Sequence, residues 1–199
     1  MQQLELIDIS LDHAELVLKW RNDPAVAEFL YSDHAIAMDE HVRWIERVIV
    51  ADDRRYWIIN FDGVPMGVAG IYDKSDHNRR CSWMFYLANP AARGKGIGSL
   101  VEYYVIEYVF RGLGYQKLSC EVLEFNDNVT RLHLRHGFKQ ECLLRRHIYK
   151  NNEWHNVVGL ALLDDEWQAV RPEIISRMHA KGLTPPIVPG LDLAPSQSD

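Results

Sequence analysis

The run Arg93-Gly94-Lys95-Gly96-Ile97-Gly98 constrains this chain more than any other feature. It separates a strand-like stretch ending at Leu87 from a helix-like one in which Ile97, Leu100, Val101, Tyr104, Val105 and Tyr108 recur at helical spacing. A glycine-rich turn at a helix start leaves backbone N–H groups without intrahelical acceptors, at the positive end of the helix dipole. Glycine permits φ > 0 and close approach of the backbone to an anion. With Arg93 and Lys95 beside it, the run reads as a phosphate cradle. A Walker loop needs different spacing. A dinucleotide fingerprint needs a third glycine where Ser99 or Val101 stands. The other reading of the same residues is a plain strand-to-helix turn.

Around this unit the chain spells out an α/β protein. Leu4 to Ile9 predicts a strand, and Ser10 a cap for a helix reaching Arg21, with an interruption at Pro24. Met38 to Val50 predicts a helix, since Met38, Val42, Ile45 and Ile49 share one face. Tyr56 to Phe61 and a strand ending near Tyr72 flank the hairpin turn Asp62-Gly63; a polar loop from Asp73 to Arg79 follows. After the glycine run, a helix ending near Gly112 or Gly114 leads to a strand at Leu118 to Leu123. A helix then runs to His136, stopped by Gly137. Phe138 to Tyr149 and Trp154 to Leu163 predict a long hairpin around Asn151-Asn152, and Asp164 to His179 a closing helix. This order predicts one mixed, mostly antiparallel sheet with helices on both faces. Residues 1–180 form the expected single domain. Residues 181–199, with four prolines and little to pack, are expected to be a disordered tail.

The 199 residues suffice for one domain with a sizeable core. A formal charge of -6 without a basic stripe argues against nucleic acid as a partner. No apolar run is long enough to span a membrane, and the acidic N-terminus does not resemble a signal peptide. Cys81, Cys120 and Cys142, without metal-ligand spacing, predict buried, reduced thiols in a cytoplasmic protein that holds no metal.

The glycine run fits the pattern Arg/Gln-x-x-Gly-x-Gly/Ala and resembles the pyrophosphate loop of the GCN5-related N-acetyltransferases. The stretch Asn126 to Gly137-Phe138 resembles that family's Asn-x-x-Ala-x-x-x-Tyr-x-x-x-Gly-Phe segment, with Val129 for the alanine and His133 for the tyrosine. The resemblance covers Leu4 to Leu163 and implies the family's α/β fold with acetyl-CoA as cosubstrate. It implies that Arg93, Gly94, Lys95, Gly96, Ile97, Gly98 and Ser99 hold the cofactor phosphates. Tyr86 and Leu87 would offer a backbone donor to the thioester carbonyl, and Asn126 and Asn128 would bind the pantetheine arm. Two other roles are open for the asparagines and His133: helix capping and packing. His133 at the tyrosine position implies the acid that protonates the departing thiolate, a task within imidazole's range.

A carboxylate inside the apolar run Leu118 to Leu123 asks for a polar cleft or an ion pair, which makes Glu121 the candidate base. Trp20-Arg21-Asn22-Asp23-Pro24, Tyr31-Ser32, His41-x-x-Trp44-Ile45 and Lys150-Asn151-Asn152-Glu153-Trp154 are similar to the N-acetyltransferases of bacterial pseudaminic-acid biosynthesis. That similarity implies a UDP-linked 4-amino-4,6-dideoxy sugar as acceptor, in a pathway serving flagellin glycosylation. Arg21, Tyr31, His41 and Lys74, with Arg145 and Arg146, are the candidates to bind it. Its oligomeric state is left open, with a homodimer as one option. The alternatives are a protein N-terminal or small-amine acetyltransferase, and a module that binds acetyl-CoA without turnover.

Overall fold

The computed structural model describes residues 3–189. Among these, seven strands form one sheet: β1 (Leu4–Asp8), β2 (Arg55–Phe61), β3 (Val64–Ser75), β4 (Arg80–Leu87), β5 (Lys117–Leu123), β6 (Lys139–Lys150) and β7 (Glu153–Leu163). Their spatial order is β1-β2-β3-β4-β5-β7-β6, and β4 and β5 alone pair in parallel. The helices are α1 (Ala14–Arg21), α2 (Pro24–Ala27), α3 (Met38–Ile49), α4 (Ile97–Glu107), α5 (Asp127–Arg135) and α6 (Asp164–Ala180).

Strand alternation sends side chains to two separate cores. Trp57, Ile59 and Phe61 of β2, with Leu118, Cys120 and Val122 of β5, pack under α4 and α6. Ile58 and Val68 turn the other way, against Val17 and Trp20 of α1 and Ile45 and Val48 of α3. Within the first core, α6 is also tied to α4 by a buried acid. Glu107 accepts from Trp167 Nε1 at 2.7 Å and from Arg171 Nε and Nη2 at 2.8 and 3.0 Å.

Both hairpin turns carry the φ > 0 pair that a two-residue connection requires: Asp62 and Gly63 at 52° and 77°, Asn151 and Asn152 at 52° and 65°. Pro24 departs from expectation. It begins α2 instead of only interrupting the chain, because Asp23 caps it by accepting from the Ala25 N–H at 2.9 Å. The polar loop is shorter than expected, since β3 runs on to Ser75 through a bulge. Cys81 and Cys120 are buried, but Cys142 is exposed on the edge strand β6, where only one neighbour covers it. Leu183 and Val188 also differ from the expected tail: both pack into the α4 core. Residues 190–199 of that tail lie outside the described residues.

Candidate active site

The parallel pairing of β4 with β5 ends after three steps, at Ser82 and Ser119. Beyond it the strands part, and a cavity of about 410 Å³ passes through the sheet. Tyr31, Tyr56, Tyr72, Tyr86 and Glu121 line it toward α1 and α3; Trp83, Phe85, Cys120, Val129 and His133 line it toward α4 and α5.

Ladder parity identifies the backbone groups facing the gap. The Ala88 N–H donates to Met66 O at 2.8 Å, so Tyr86 also bonds toward β3, and the N–H groups of Phe85 and Leu87 point at the opening. Of the two candidate carbonyl donors, Leu87 therefore has the free amide, and Tyr86 contributes its ring. On the far side the Glu124 N–H bonds Asn156 O at 3.1 Å, which leaves the backbone of Glu121 and Leu123 turned toward the gap. Sequence reasoning missed Leu123, because strand parity has no side-chain signature.

The glycine loop is built as an anion cradle. Gly94 and Gly96 both sit at φ 73°. The N–H groups of Gly94, Gly96, Ile97 and Gly98 find no acceptor among the described residues, whereas that of Ser99 is bonded to Gly96 O at 3.0 Å. A Cβ on Gly94 would meet nothing within 4 Å, and the loop is open above it. A Cβ on Gly96 would instead lie 2.5 Å from Leu183 Cδ1, so that glycine also seats the segment after α6. The exposed Arg93 and Lys95 side chains complete the cradle. The donor set fits a pyrophosphate. Replacing Arg93 and Lys95 together by Ala should weaken acetyl-CoA binding by about 1 to 2 kcal/mol, roughly 10-fold in Kd. The loss should shrink at high salt, as calorimetry at two ionic strengths would show.

On the acceptor side the Tyr31 hydroxyl donates to Glu121 Oε2 at 2.8 Å. Burial, then the Glu121 carboxylate, pushes the Tyr31 phenol far up, so Tyr31 stays protonated and orients Glu121. The segment carrying Phe29, Leu30 and Tyr31 has no regular ladder of its own. The buried Lys150, at the end of β6, holds it by donating to Ala27 O, Glu28 O and Leu30 O at 2.5, 3.1 and 2.5 Å. Lys150→Met should remove three hydrogen bonds, leaving Glu28 O and Leu30 O without their donor, and loosen this wall. We expect the acceptor KM to rise roughly 10-fold with the acetyl-CoA KM unchanged.

The remaining candidates divide. Asn126 lines the cavity, and its side chain makes no cap bond; Asn128 is exposed outside it. Arg21 lies over the Trp44 ring at 5.3 Å, above the tyrosine side of the sheet. His41 cannot meet a diphosphate: it is 0% exposed, stacked on Trp44, and burial followed by the Arg21 charge holds its pKa down. Lys74 also falls outside. Its Nζ donates to Asp52 O at 2.8 Å in a separate depression with Arg54 and Arg55. Helical periodicity placed His41 on α3 but could not say that α1 and the sheet would close over it.

His133 is 3% exposed, with its ring edge on Trp83 at 5.3 Å and Phe138 beside it. Its Nδ1 lies 2.8 Å from Oε1 of Glu102, which is 0% exposed on α4, and Cys120 of β5 lines the cavity beside the ring. Glu102 carries one sequence signal, an acid within a mostly apolar helix; nothing in the sequence pairs it with His133, 31 positions away.

A model of the acetyltransferase (GNAT) domain matches residues 3–139, spanning the glycine loop, the splayed strands and α5. The chain belongs to the GNAT acetyltransferase family. Curated GNAT relatives include acetyltransferase PseH of Campylobacter jejuni, 24% identical over 66% of this chain and 80% of that one. An uncharacterised N-acetyltransferase of Bacillus subtilis, YokL, is 26% identical over 63% and 70%. The spermidine N(1)-acetyltransferase of Escherichia coli is 20% identical over 79% of both chains. Among solved structures, spermidine N-acetyltransferase from Vibrio cholerae, in complex with CoA and spermine, superposes with a TM-score of 0.78 at 17% identity, covering 83% and 98% of the chains. As a GNAT protein the chain is an N-acetyltransferase, of a family whose members use acetyl-CoA. Among the described residues no helix is long and apolar enough to cross a membrane, and no cluster is suited to a metal ion.

Proposed function

We propose that this GNAT enzyme acetylates the 4-amino group of a UDP-linked 4-amino-4,6-dideoxy-N-acetyl sugar, a step of nonulosonic (pseudaminic) acid biosynthesis, by direct attack of the amine on the thioester. The observation that carries the reading is the cavity through the sheet, with Glu121 and Tyr31 on one side of the gap and His133 on the other. Acetyl-CoA supplies an activated acetyl group; this chain supplies position and proton handling. The free backbone edges of β4 and β5 align the pantetheine arm, and the Leu87 N–H polarises the thioester carbonyl. Glu121 draws the proton from the acceptor ammonium, directly or through water, and His133 returns one to sulfur. The tyrosine rings suit the apolar face of a deoxy sugar. With His41 sealed, Lys74 turned elsewhere, and Arg145 and Arg146 lining a separate depression with Leu143 and His147, Arg21 is the candidate left for the diphosphate. The relationship to PseH supports this acceptor.

A specific observation favours a second reading, a polyamine or other small amine. Asp73 and Glu121 line the cavity, and among the described residues no lysine or arginine does. A polycation would find complementary charge there, and relatives named for spermidine stand beside PseH. Release of CoA, measured with UDP-amino-sugars, spermidine and peptides as acceptors, tests both. The sugar reading expects the highest kcat/KM with the UDP-4-amino sugar. Spermidine turned over more than 10-fold better would replace it with the second reading.

A further inference from the structure

Glu102 stands in the middle of α4, among side chains that are all buried, where an unpaired carboxylate would cost several kcal/mol. Two histidines of α5 meet it. His133 Nδ1 lies 2.8 Å from Oε1, and His136 Nδ1 lies 3.2 Å from Oε2 while also 3.0 Å from Leu132 O. The geometry at His133 is the tighter of the two. Glu102 Oε2 makes no hydrogen bond of good angle, so His136 supplies proximity without a directed bond. With Nδ1 committed, Nε2 is the nitrogen of His133 left for Cys120 and for the cavity that both residues line.

We propose that Glu102 is the positioning residue of acetyl transfer: by holding the Nδ1–H of His133 it keeps that ring charged and turns Nε2 toward the leaving sulfur. This rests on the reading of His133 as the proton donor. As the amine nitrogen forms its bond to the acetyl carbon, the C–S bond breaks and sulfur leaves with the electron pair. The Nε2 proton of His133 then passes to sulfur, while the Nδ1 proton stays on the ring, hydrogen-bonded to Glu102. The neutral imidazole regains its proton from water once the cavity opens.

The charges facing the pair agree with this role. Burial alone drives the His133 imidazolium down, but the Glu102 carboxylate and Cys120 together outweigh it and hold His133 well above the usual histidine value. Burial pushes the Cys120 thiol itself up. Arg135 on α5, and Arg177 and Lys181 at the end of α6, gather around His136 on the outer side and not around His133. The arrangement supplies an imidazolium where the family segment has a tyrosine, and the carboxylate brings its acidity toward that of a phenol.

The test combines histidine-selective ¹⁵N NMR with kinetics, using acetyl-CoA with the UDP-4-amino sugar or spermidine as acceptor. In the parent, His133 should be an imidazolium at pH 8 with a slowly exchanging Nδ1–H. Glu102→Gln keeps the volume and removes the charge. The His133 titration and the basic limb of the kcat profile should both move down by at least about one pH unit, with KM values within about 2-fold. Because turnover needs the protonated ring, kcat should fall by up to about 10-fold at pH values above the parent's titration point and change little well below the shifted one. A neutral His133 at pH 8 in the parent overturns the proposal, even if Glu102→Gln fails to fold. So does a titration that Glu102→Gln leaves in place. His133→Gln separates the underlying reading: turnover like the parent, with the titration still moved by Glu102→Gln, removes His133 as the acid and the role of Glu102 with it.

Discussion

Gly67→Ala is expected to be among the most damaging single substitutions in this protein. A Cβ at that position would lie 2.0 Å from Tyr86 O and 2.9 Å from Leu87 Cα, both backbone atoms of the neighbouring strand. No rotamer change relieves such a contact, so β3 and β4 must separate where β4 presents the Leu87 N–H to the gap. Overpacking of this kind costs about 1–3 kcal/mol, and lost ladder bonds add about 1 kcal/mol each. We expect a loss of roughly 3 kcal/mol in urea unfolding and a fall in kcat of the folded fraction beyond what stability explains. Gly98→Ala is the matched control. Its Cβ would meet only side chains, Leu132 Cδ2 at 3.4 Å and Phe85 Cε2 at 3.7 Å, so stability should change little. Equal melting of the parent and Gly67→Ala would show that β3 and β4 accommodate the methyl group, and the account of the gap would need revision.

Glu121→Gln is expected to lower kcat by about 10²-fold, the scale for a general base. The amide keeps the size of the side chain and can still accept from the Tyr31 hydroxyl, so the wall of the cavity should hold. What is lost is the group that takes the ammonium proton. Turnover should then depend on the acceptor losing its proton to solvent, so the rate should climb with pH beyond the point where the parent levels off. Acetyl-CoA affinity should be unchanged, since the phosphate cradle lies on the opposite face, at the start of α4. A parent-like pH profile in Glu121→Gln would assign the proton to water alone and leave Glu121 as a binding group for the acceptor.

The local features of this chain were legible in its residues. Asp62-Gly63 and Asn151-Asn152 are hairpin turns because those pairs tolerate φ > 0, and both adopt it. The glycine loop precedes a helix, and its donors are free, because glycine spacing and helix geometry are short-range properties. The split between two cores follows from alternation along β2. The two family motifs each follow one of the strands that part, the loop after β4 and the Asn126–Phe138 segment after β5.

What the residues could not show was which side chains the gap collects and which the packing hides. His41 and Lys74 were chosen for their charge, and charge says nothing about burial: α1 seals the first, and Asp52 O engages the second. Glu102, His133 and Cys120 come from α4, α5 and β5, and Lys150 reaches across more than a hundred positions to hold the tyrosine wall. Sequence therefore determined the turns, the helix faces and the anion cradle, where the physics acts within a few residues. Tertiary structure alone supplied the partners of the candidate proton-handling groups, Glu102 for His133 and Tyr31 for Glu121. The charge a buried acid or imidazole carries depends on partners that only chain packing brings within 3 Å, and in a low-dielectric interior those partners outweigh the group's own chemistry.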